Sequence, residues 1–369
     1  MRITIVQGAF LPVPPILGGT VEKVWYDLGR EFARHGHEVL HISRRHPRLP
    51  YSEIHEGVRY FRVRGFNIPR SPLLFLIEDL LYTLSARRYL LPADIIVSNT
   101  HWLPVLVRAA KFGRMFVHVA NFPRGQLHRY RHTACLQATT STVAAAIRAE
   151  LGPKSAARVC VIPNPLAHRA SPMPPPIGRA PVVLYSGRLH QDKGVGLLIN
   201  AWHHAAPHLP GWRLRIVGSP KPEHGGGGGA YLEYLKREAG DLPVDFVDQP
   251  SDPATLEHEY RNASFFVYPA ISSNDEAFDP APLEAMAFGL PVIASRLDCF
   301  HDFLLPEENA LVFDHGDGNA AGELAKRIVR LATEHELRLK LGNAAWETTA
   351  RYTGRVVAEA YLAKFVELL

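Results

Sequence analysis

At 369 residues the chain is long enough for two domains of ordinary size, and an apolar content of 47% builds real cores and excludes a disordered chain. Its net charge of +5 hides an uneven split: residues 1–165 hold 22 Lys/Arg against 10 Asp/Glu, the remainder 19 against 26. Three scattered cysteines (Cys135, Cys160, Cys299), with no C-x-x-C spacing, argue against a disulfide framework or a zinc site and for a reducing compartment.

The chain opens on an apolar run too short for a signal peptide, so residues 3–6 read as a first strand and a cytoplasmic protein is expected. Gly18 and Gly19 follow in a loop, where they either let the backbone approach a ligand closely or make a plain turn. Thr20 and Glu22 open an amphipathic helix over 21–35, and a strand follows at 39–43. Residues 73–91 are the most apolar stretch, but Glu78, Asp79, Arg87 and Arg88 interrupt it, and a membrane span needs roughly 18 uncharged apolar residues. Further strands are expected at 95–97, 116–119, 137–140 and 159–162. His118 lies at the end of one of these, a position where a histidine is more often a satisfied core group than a functional one.

Seven prolines at 163, 165, 172, 174, 175, 176 and 181 then break the pattern and read as a semi-rigid linker. The expected domains are 1–168, a linker at 169–181, a second domain over 182–350 and a terminal helical segment over 351–369. Strands resume at 182–186, 214–217, 244–247, 265–268, 292–294 and 311–313. This alternation of strands and helical stretches predicts an α/β fold of two doubly wound, Rossmann-like domains. Five consecutive glycines, 225–229, read as a flexible surface excursion without chemistry.

The most informative window is Glu276-Ala-Phe-Asp-Pro-Ala-Pro-Leu-Glu284, two carboxylates eight residues apart across a strand-to-helix turn. Pro280 or Pro282 suits a first helical turn. One carboxylate then sits in a loop above a sheet edge, and the other in the helix's first turn. Ligands of open α/β sheets bind at that edge, where carboxylates hold several hydroxyl donors. Glu284 as a mere helix-dipole partner, with Glu276 a solvated loop charge, explains the pair equally well in isolation. After residues 182–186, Arg188 and Lys193 bring two positive charges to the same edge.

This window resembles the E-x7-E signature of family 4 glycosyltransferases, retaining enzymes of the glycosyltransferase-B fold, in which two Rossmann-like domains face each other across a cleft. The likeness extends along the chain through Leu17-Gly-Gly-Thr-Val-Glu-Lys23, Arg34-His-Gly-His-Glu-Val39, Val161-Ile-Pro-Asn-Pro165, Tyr185-Ser-Gly-Arg-Leu-His-Gln-Asp-Lys-Gly194 and Leu214-Arg-Ile-Val-Gly-Ser219. It implies a nucleotide-diphosphate sugar donor, UDP- or GDP-linked, with Arg188 and Lys193 on its phosphates and Gly18 and Gly19 allowing close approach. It implies Glu284 on the ribose, Glu276 on the donor sugar with Phe278 and Asp279 beside it, and His118 facing the reacting carbon. It implies no metal and no further cofactor, and a terminal helix that crosses back to the first domain. Many members carry Gly-Phe-Gly after the first Glu; here Ala277-Phe278-Asp279-Pro280 stands, which removes an N–H and adds a charge.

The basic first half points to an anionic partner. Zinc-finger spacing and ribonucleoprotein motifs are lacking, so nucleic acid is not expected. A lipid-linked or cell-envelope glycan acceptor at an anionic membrane fits, with basic residues each adding about 1 kcal/mol near anionic lipid. An ordinary solvated surface is the plainer account of the same charge. The other readings are a soluble small-molecule glycosyltransferase or sugar epimerase on the same fold, and a catalytically silent glycan-binding scaffold.

Overall fold

The computed structural model describes residues 1–174, 178–250, 252–271 and 278–369, and divides them into two units, 1–165 with 354–369 and 166–353. In the first unit the chain runs β1 (Arg2–Val6), α1 (Thr20–Arg34), β2 (Glu38–Arg44), β3 (Ser52–His55), β4 (Val58–Val63) and α2 (Pro72–Ala86). It continues through β5 (Ile95–Ser98), α3 (Leu103–Leu106), β6 (Arg114–Val119), β7 (Cys135–Ala138), α4 (Ser141–Leu151) and β8 (Val159–Val161). The sheet order is β3-β4-β2-β1-β5-β6-β7-β8, parallel throughout except where β3 pairs antiparallel with β4. Order reverses between β1 and β5, so the loops after these strands leave the sheet on either side of a crevice.

The second unit holds β9 (Val182–Ser186), α5 (Val195–Ala205), β10 (Arg213–Val217), α6 (Gly229–Ala239), β11 (Val244–Val247) and α7 (Pro253–Asn262). Then follow β12 (Phe265–Tyr268), α8 (Ala281–Ala287), β13 (Val292–Ser295), β14 (Ala310–Phe313), α9 (Ala320–Thr333) and α10 (His335–Thr348). Its parallel sheet, β11-β10-β9-β12-β13-β14, has the dinucleotide-fold order, with the reversal between β9 and β12. The inner strands are buried on both faces, which is why Phe265-Phe-Val-Tyr268 reads as a continuous apolar run rather than an alternating one.

The last helix, α11 (Gly354–Leu368), belongs to the first unit. Its Val357, Ala358, Tyr361, Leu362 and Phe365 are buried with Trp25 and Phe32 of α1 and Phe116 of β6. Tyr361 meets Trp25 edge-on at 5.3 Å between ring centroids, and Phe365 meets Phe116 at 5.1 Å. Among the described residues, no helix is long and apolar enough to cross a membrane.

Candidate functional site

The reversal in the second sheet brings the loop after β9 against the loop after β12. Gly194 makes that approach possible: its φ of 67° is left-handed, and a Cβ there would run into the carbonyl oxygen of Pro269. A hydrogen bond of 2.8 Å from the Ile271 N–H to the Asp192 carbonyl joins the same two loops. Just before Gly194, Lys193 projects inward with its side chain only 3% exposed, and its Nζ lies 2.8 Å from Asp279 Oδ2. The Tyr268 hydroxyl donates to that same oxygen, and the Ala281 N–H donates to Oδ1 at 3.2 Å. Burial, with the Asp279 charge second, pushes the Tyr268 phenol well above its usual range. Asp279 is thus held from three directions, and it presents one side to a buried ammonium.

Arg188 is on the outer side of the same loop. Its Nη1 donates to the Gly225 carbonyl at 2.9 Å and its Nη2 to Asp192 Oδ2 at 3.4 Å, while its own carbonyl accepts from the Tyr185 hydroxyl at 2.9 Å. The five-glycine run is therefore not the unconnected excursion its composition suggests. The Gly227 N–H donates to the Leu189 carbonyl at 2.8 Å and the Gly228 N–H to Pro220 at 2.7 Å. A Cβ at Gly226 would strike the Pro220 backbone. The run is a fitted strap along the Arg188 loop, and its missing side chains are what let it lie there.

Glu284 is half-buried in the first turn of α8, 3.4 Å from the hydroxyl of Tyr260, which α7 supplies. Burial, then the Glu284 charge, holds the Tyr260 phenol well above its usual range, so it stays a donor. Pro280 caps α8 and Pro282 lies in its first turn. Phe278 turns toward the core, its ring centroid 6.3 Å from that of Phe303. Glu276 and Ala277 lie outside the described residues.

In the first unit His118 is buried at the end of β6. Its Nδ1 is 2.5 Å from Gln137 Oε1, and its ring meets Trp25 edge-on at 5.5 Å. Gln137 Nε2 donates to the carbonyls of Ala138 and Ile162, at 2.8 and 2.6 Å, which fixes Oε1 as the atom facing the imidazole. The proton therefore sits on Nδ1 and the lone pair on Nε2. Burial pulls this imidazole down to about 4, the Gln137 hydrogen bond opposing. Gly18 and Gly19 have φ of 79° and 102°, and Gly19 begins α1 without a side-chain cap. A Cβ at Gly19 would collide with the Glu22 carboxylate and Leu11. Glu22 is itself buried, and desolvation raises its carboxyl.

The structure thus gathers Arg188, Lys193, Asp279 and Glu284 at one edge of one sheet, and places His118, Gly18 and Gly19 in the other unit. Sequence reasoning missed Asp192, Tyr260, Tyr268 and Gln137, each of which acts by holding another residue. Nothing in the local sequence marks Tyr260, Tyr268 or Gln137, because their partners are distant along the chain, whereas Asp192 lies only four residues from Arg188. No group of three or more His, Cys, Asp or Glu fit to hold a metal occurs among the described residues.

A family described as glycosyl transferases group 1 matches residues 173–348, and one described as a glycosyl transferase 4-like domain matches 19–165. An exopolysaccharide phosphotransferase of Streptomyces coelicolor is 30% identical over 224 residues, 58% of this chain and 21% of that protein. The chain spans less than half the length of the curated relatives it matches. Sucrose-phosphate synthase from Thermosynechococcus elongatus has a similar fold, with a TM-score of 0.76 at 22% identity over 100% of this chain and 99% of that one. Anabaena HepE, in complex with UDP and glucose, gives 0.68 at 18% identity over 100% of both chains. With the 4-like domain first and the group 1 domain second, this chain belongs to the family 4-type glycosyltransferases of the glycosyltransferase-B fold.

Proposed function

We propose that the chain is a retaining, metal-independent hexosyltransferase that moves one sugar from a UDP- or GDP-sugar onto a lipid-linked or cell-envelope glycan at an anionic membrane surface. The observation that carries the donor reading is the buried Lys193 beside Asp279 at the β9–β12 reversal, with Arg188 on the same loop. Two fixed cations opposite a departing diphosphate stabilise the charge that develops as the glycosidic bond breaks. Losing one such preorganised contact typically costs about 10²–10³ in rate. They also do the neutralising for which a metal would otherwise be needed.

Glu284 has only acceptor oxygens, which suits the two hydroxyls of a ribose, and the Tyr260 hydroxyl orients it. Glu276 is assigned to the donor sugar near its 3-hydroxyl, with the backbone of Phe278 and Asp279 alongside. Gly18 and Gly19 are assigned to close approach of the backbone to the phosphates. His118, neutral and with its lone pair on Nε2, accepts a hydrogen bond from a hydroxyl; it positions and polarises the sugar and is not a nucleophile. The UDP and glucose in the HepE complex support the donor class, and the exopolysaccharide relative supports the acceptor class.

The test is a thermal-shift and hydrolysis panel of UDP-, GDP-, ADP- and TDP-sugars on the wild type and on Glu284→Ala. A ligand at 100 times its Kd stabilises by about 2.7 kcal/mol. One nucleotide sugar should raise the melting temperature of the wild type and leave Glu284→Ala unmoved. If none shifts the wild type, the donor assignment is wrong and a glycan-binding scaffold takes its place.

A further inference from the structure

Helix α2 wears its apolar side outward. Leu73, Leu74, Ile77, Leu81 and Leu84 are between 43% and 68% exposed, whereas its buried residues are Asp79, Tyr82, Thr83 and Ala86. At 100° per residue the five aliphatic side chains share one arc and the buried residues the opposite one. The helix is not free to turn over. Asp79 Oδ2 accepts the His101 N–H at 2.9 Å, and the Leu76 carbonyl accepts the Trp102 indole N–H at 2.8 Å. Phe75 stacks on Phe10 with ring centroids 4.3 Å apart. Exposed Ile68 and Leu91 extend the apolar surface beyond both ends of the helix.

The charges around this face have one sign. Between residues 64 and 91 the exposed ionisable side chains are Arg64, Arg70, Arg87 and Arg88, while Glu78 is half-buried and Asp79 buried. An aliphatic stripe flanked by arginines matches an interfacial helix, whose apolar face enters the acyl boundary while its cations meet anionic head groups. Protein-binding hot spots favour Trp and Tyr, and this stripe has neither. At 15 residues α2 is about 22 Å long, short of the roughly 30 Å hydrocarbon core, so it would lie flat rather than cross.

We infer that α2 is a membrane-docking element: its Leu73, Leu74, Ile77, Leu81 and Leu84 face inserts shallowly into an anionic bilayer, with Arg70, Arg87 and Arg88 on the head groups. This deepens the acceptor reading above, because it names the surface by which the first unit reaches a lipid-linked substrate. It does not depend on the donor assignment.

The experiment is co-sedimentation of the full chain with vesicles of phosphatidylcholine, with and without phosphatidylglycerol. The wild type, Ile77→Asp with Leu81→Asp, and Arg87→Gln with Arg88→Gln are compared. The wild type should favour phosphatidylglycerol vesicles by about tenfold or more, and the arginine variant should lose most of that preference and its salt dependence. The aspartate variant should bind about tenfold or more weakly to both vesicles, with unchanged melting and an unchanged nucleotide-sugar shift. Since binding is read without turnover, it stands or falls separately from the transferase reading. Wild-type indifference to both vesicles, or an aspartate variant that binds as well as wild type, would overturn the inference. So would a wild-type dimer that the aspartate variant dissociates, since a second copy would then cover the face.

Discussion

Lys193 and Asp279 meet at 2.8 Å at the carboxyl edge of the second sheet, the lysine almost wholly buried. The residues belong to loops following different strands, so their pairing reports how closely the loops after β9 and β12 are held together. On the proposed donor assignment, an incoming diphosphate would share an ammonium that already has a carboxylate beside it.

Asp279→Asn keeps one acceptor oxygen, for Tyr268 or Ala281 but not both, and removes the charge opposite Lys193. Breaking a buried pair by removing one partner costs about 3–5 kcal/mol. Asp279→Asn should melt lower than the wild type, and saturating UDP should raise its melting temperature by more, because the diphosphate supplies the missing negative charge. Equal UDP shifts in the two proteins would show that Lys193 and the nucleotide do not meet. Lys193→Gln should reduce transfer by about 10²–10³-fold.

Gly194 and Gly211 separate the effect of a close approach from that of backbone conformation. Both have left-handed φ, 67° and 85°, but a Cβ at Gly194 meets the Pro269 carbonyl and one at Gly211 meets open space. Gly211→Ala should cost about 1–2 kcal/mol, the usual penalty for a left-handed alanine. Gly194→Ala should cost more, as overpacking adds about 1–3 kcal/mol, and should also weaken nucleotide binding. Urea denaturation of the two variants decides it, and equal losses would rule out the loop contact.

His118 should remain neutral across the physiological range. Its imidazole, lowered to about 4 from 6.5, binds a proton in the unfolded chain before it does in the folded one. The stability it contributes is therefore complete above about pH 6.5 and is lost as pH falls toward 4. His41, buried and lowered to about 3, acts in the same direction. Proton NMR of the His118 ring should show no titration between pH 8 and 5; a midpoint near 6.5 would contradict the buried, Gln137-held ring.

Asp79 has the opposite sign. Burial raises its carboxyl to about 7, against the hydrogen bonds from the His101 and Trp102 backbone. The folded state thus holds a proton that the unfolded chain has released, and stability falls as pH rises from about 4 to 7. Asp79→Asn removes that penalty. It should stabilise by about 2 kcal/mol more at pH 8 than at pH 5, read from paired denaturation curves. A gain independent of pH would mean that the carboxyl titrates normally.

The sequence was most legible where burial is two-sided. Residues 182–186 and 265–268 are predicted and observed as strands with identical ends, because their apolar runs are bounded by turns, and the half-buried edge strand 244–247 matches as well. Residues 214–217 miss only Arg213 at the start of β10. The β3–β4 hairpin was not foreseen: Arg62 stands at a core position of β4, fully buried, with its guanidinium held by the Val13 and Pro50 carbonyls and Glu53. A buried arginine breaks the alternation by which a half-buried strand is recognised. Strand 137–140 is two residues late, since Thr140 instead caps α4 by accepting the Val143 N–H at 3.3 Å.

The site divides in the same way. Arg188, Lys193, Asp279 and Glu284 were readable because motif and fold place the first three on loops, and Glu284 in the first turn of α8, at the strand reversal. The roles of Tyr260, Tyr268 and Gln137 depend on contacts 11 to 24 residues away along the chain, which no local pattern records. The glycine run misled because composition alone cannot distinguish a loose loop from one whose small residues let it lie against a neighbour.

The first unit is built from two pieces of chain, and the second lies wholly between them. During synthesis, the Trp25, Phe32 and Phe116 surface that receives Tyr361 and Phe365 is made long before those residues exist. At 5–20 residues per second, that surface waits roughly 10–40 s after residue 165 is added. The continuous stretch 166–353 has no such wait and can complete its core first. The order of folding on the ribosome is thus expected to run against the order of translation, and the early half is the one in need of chaperone cover.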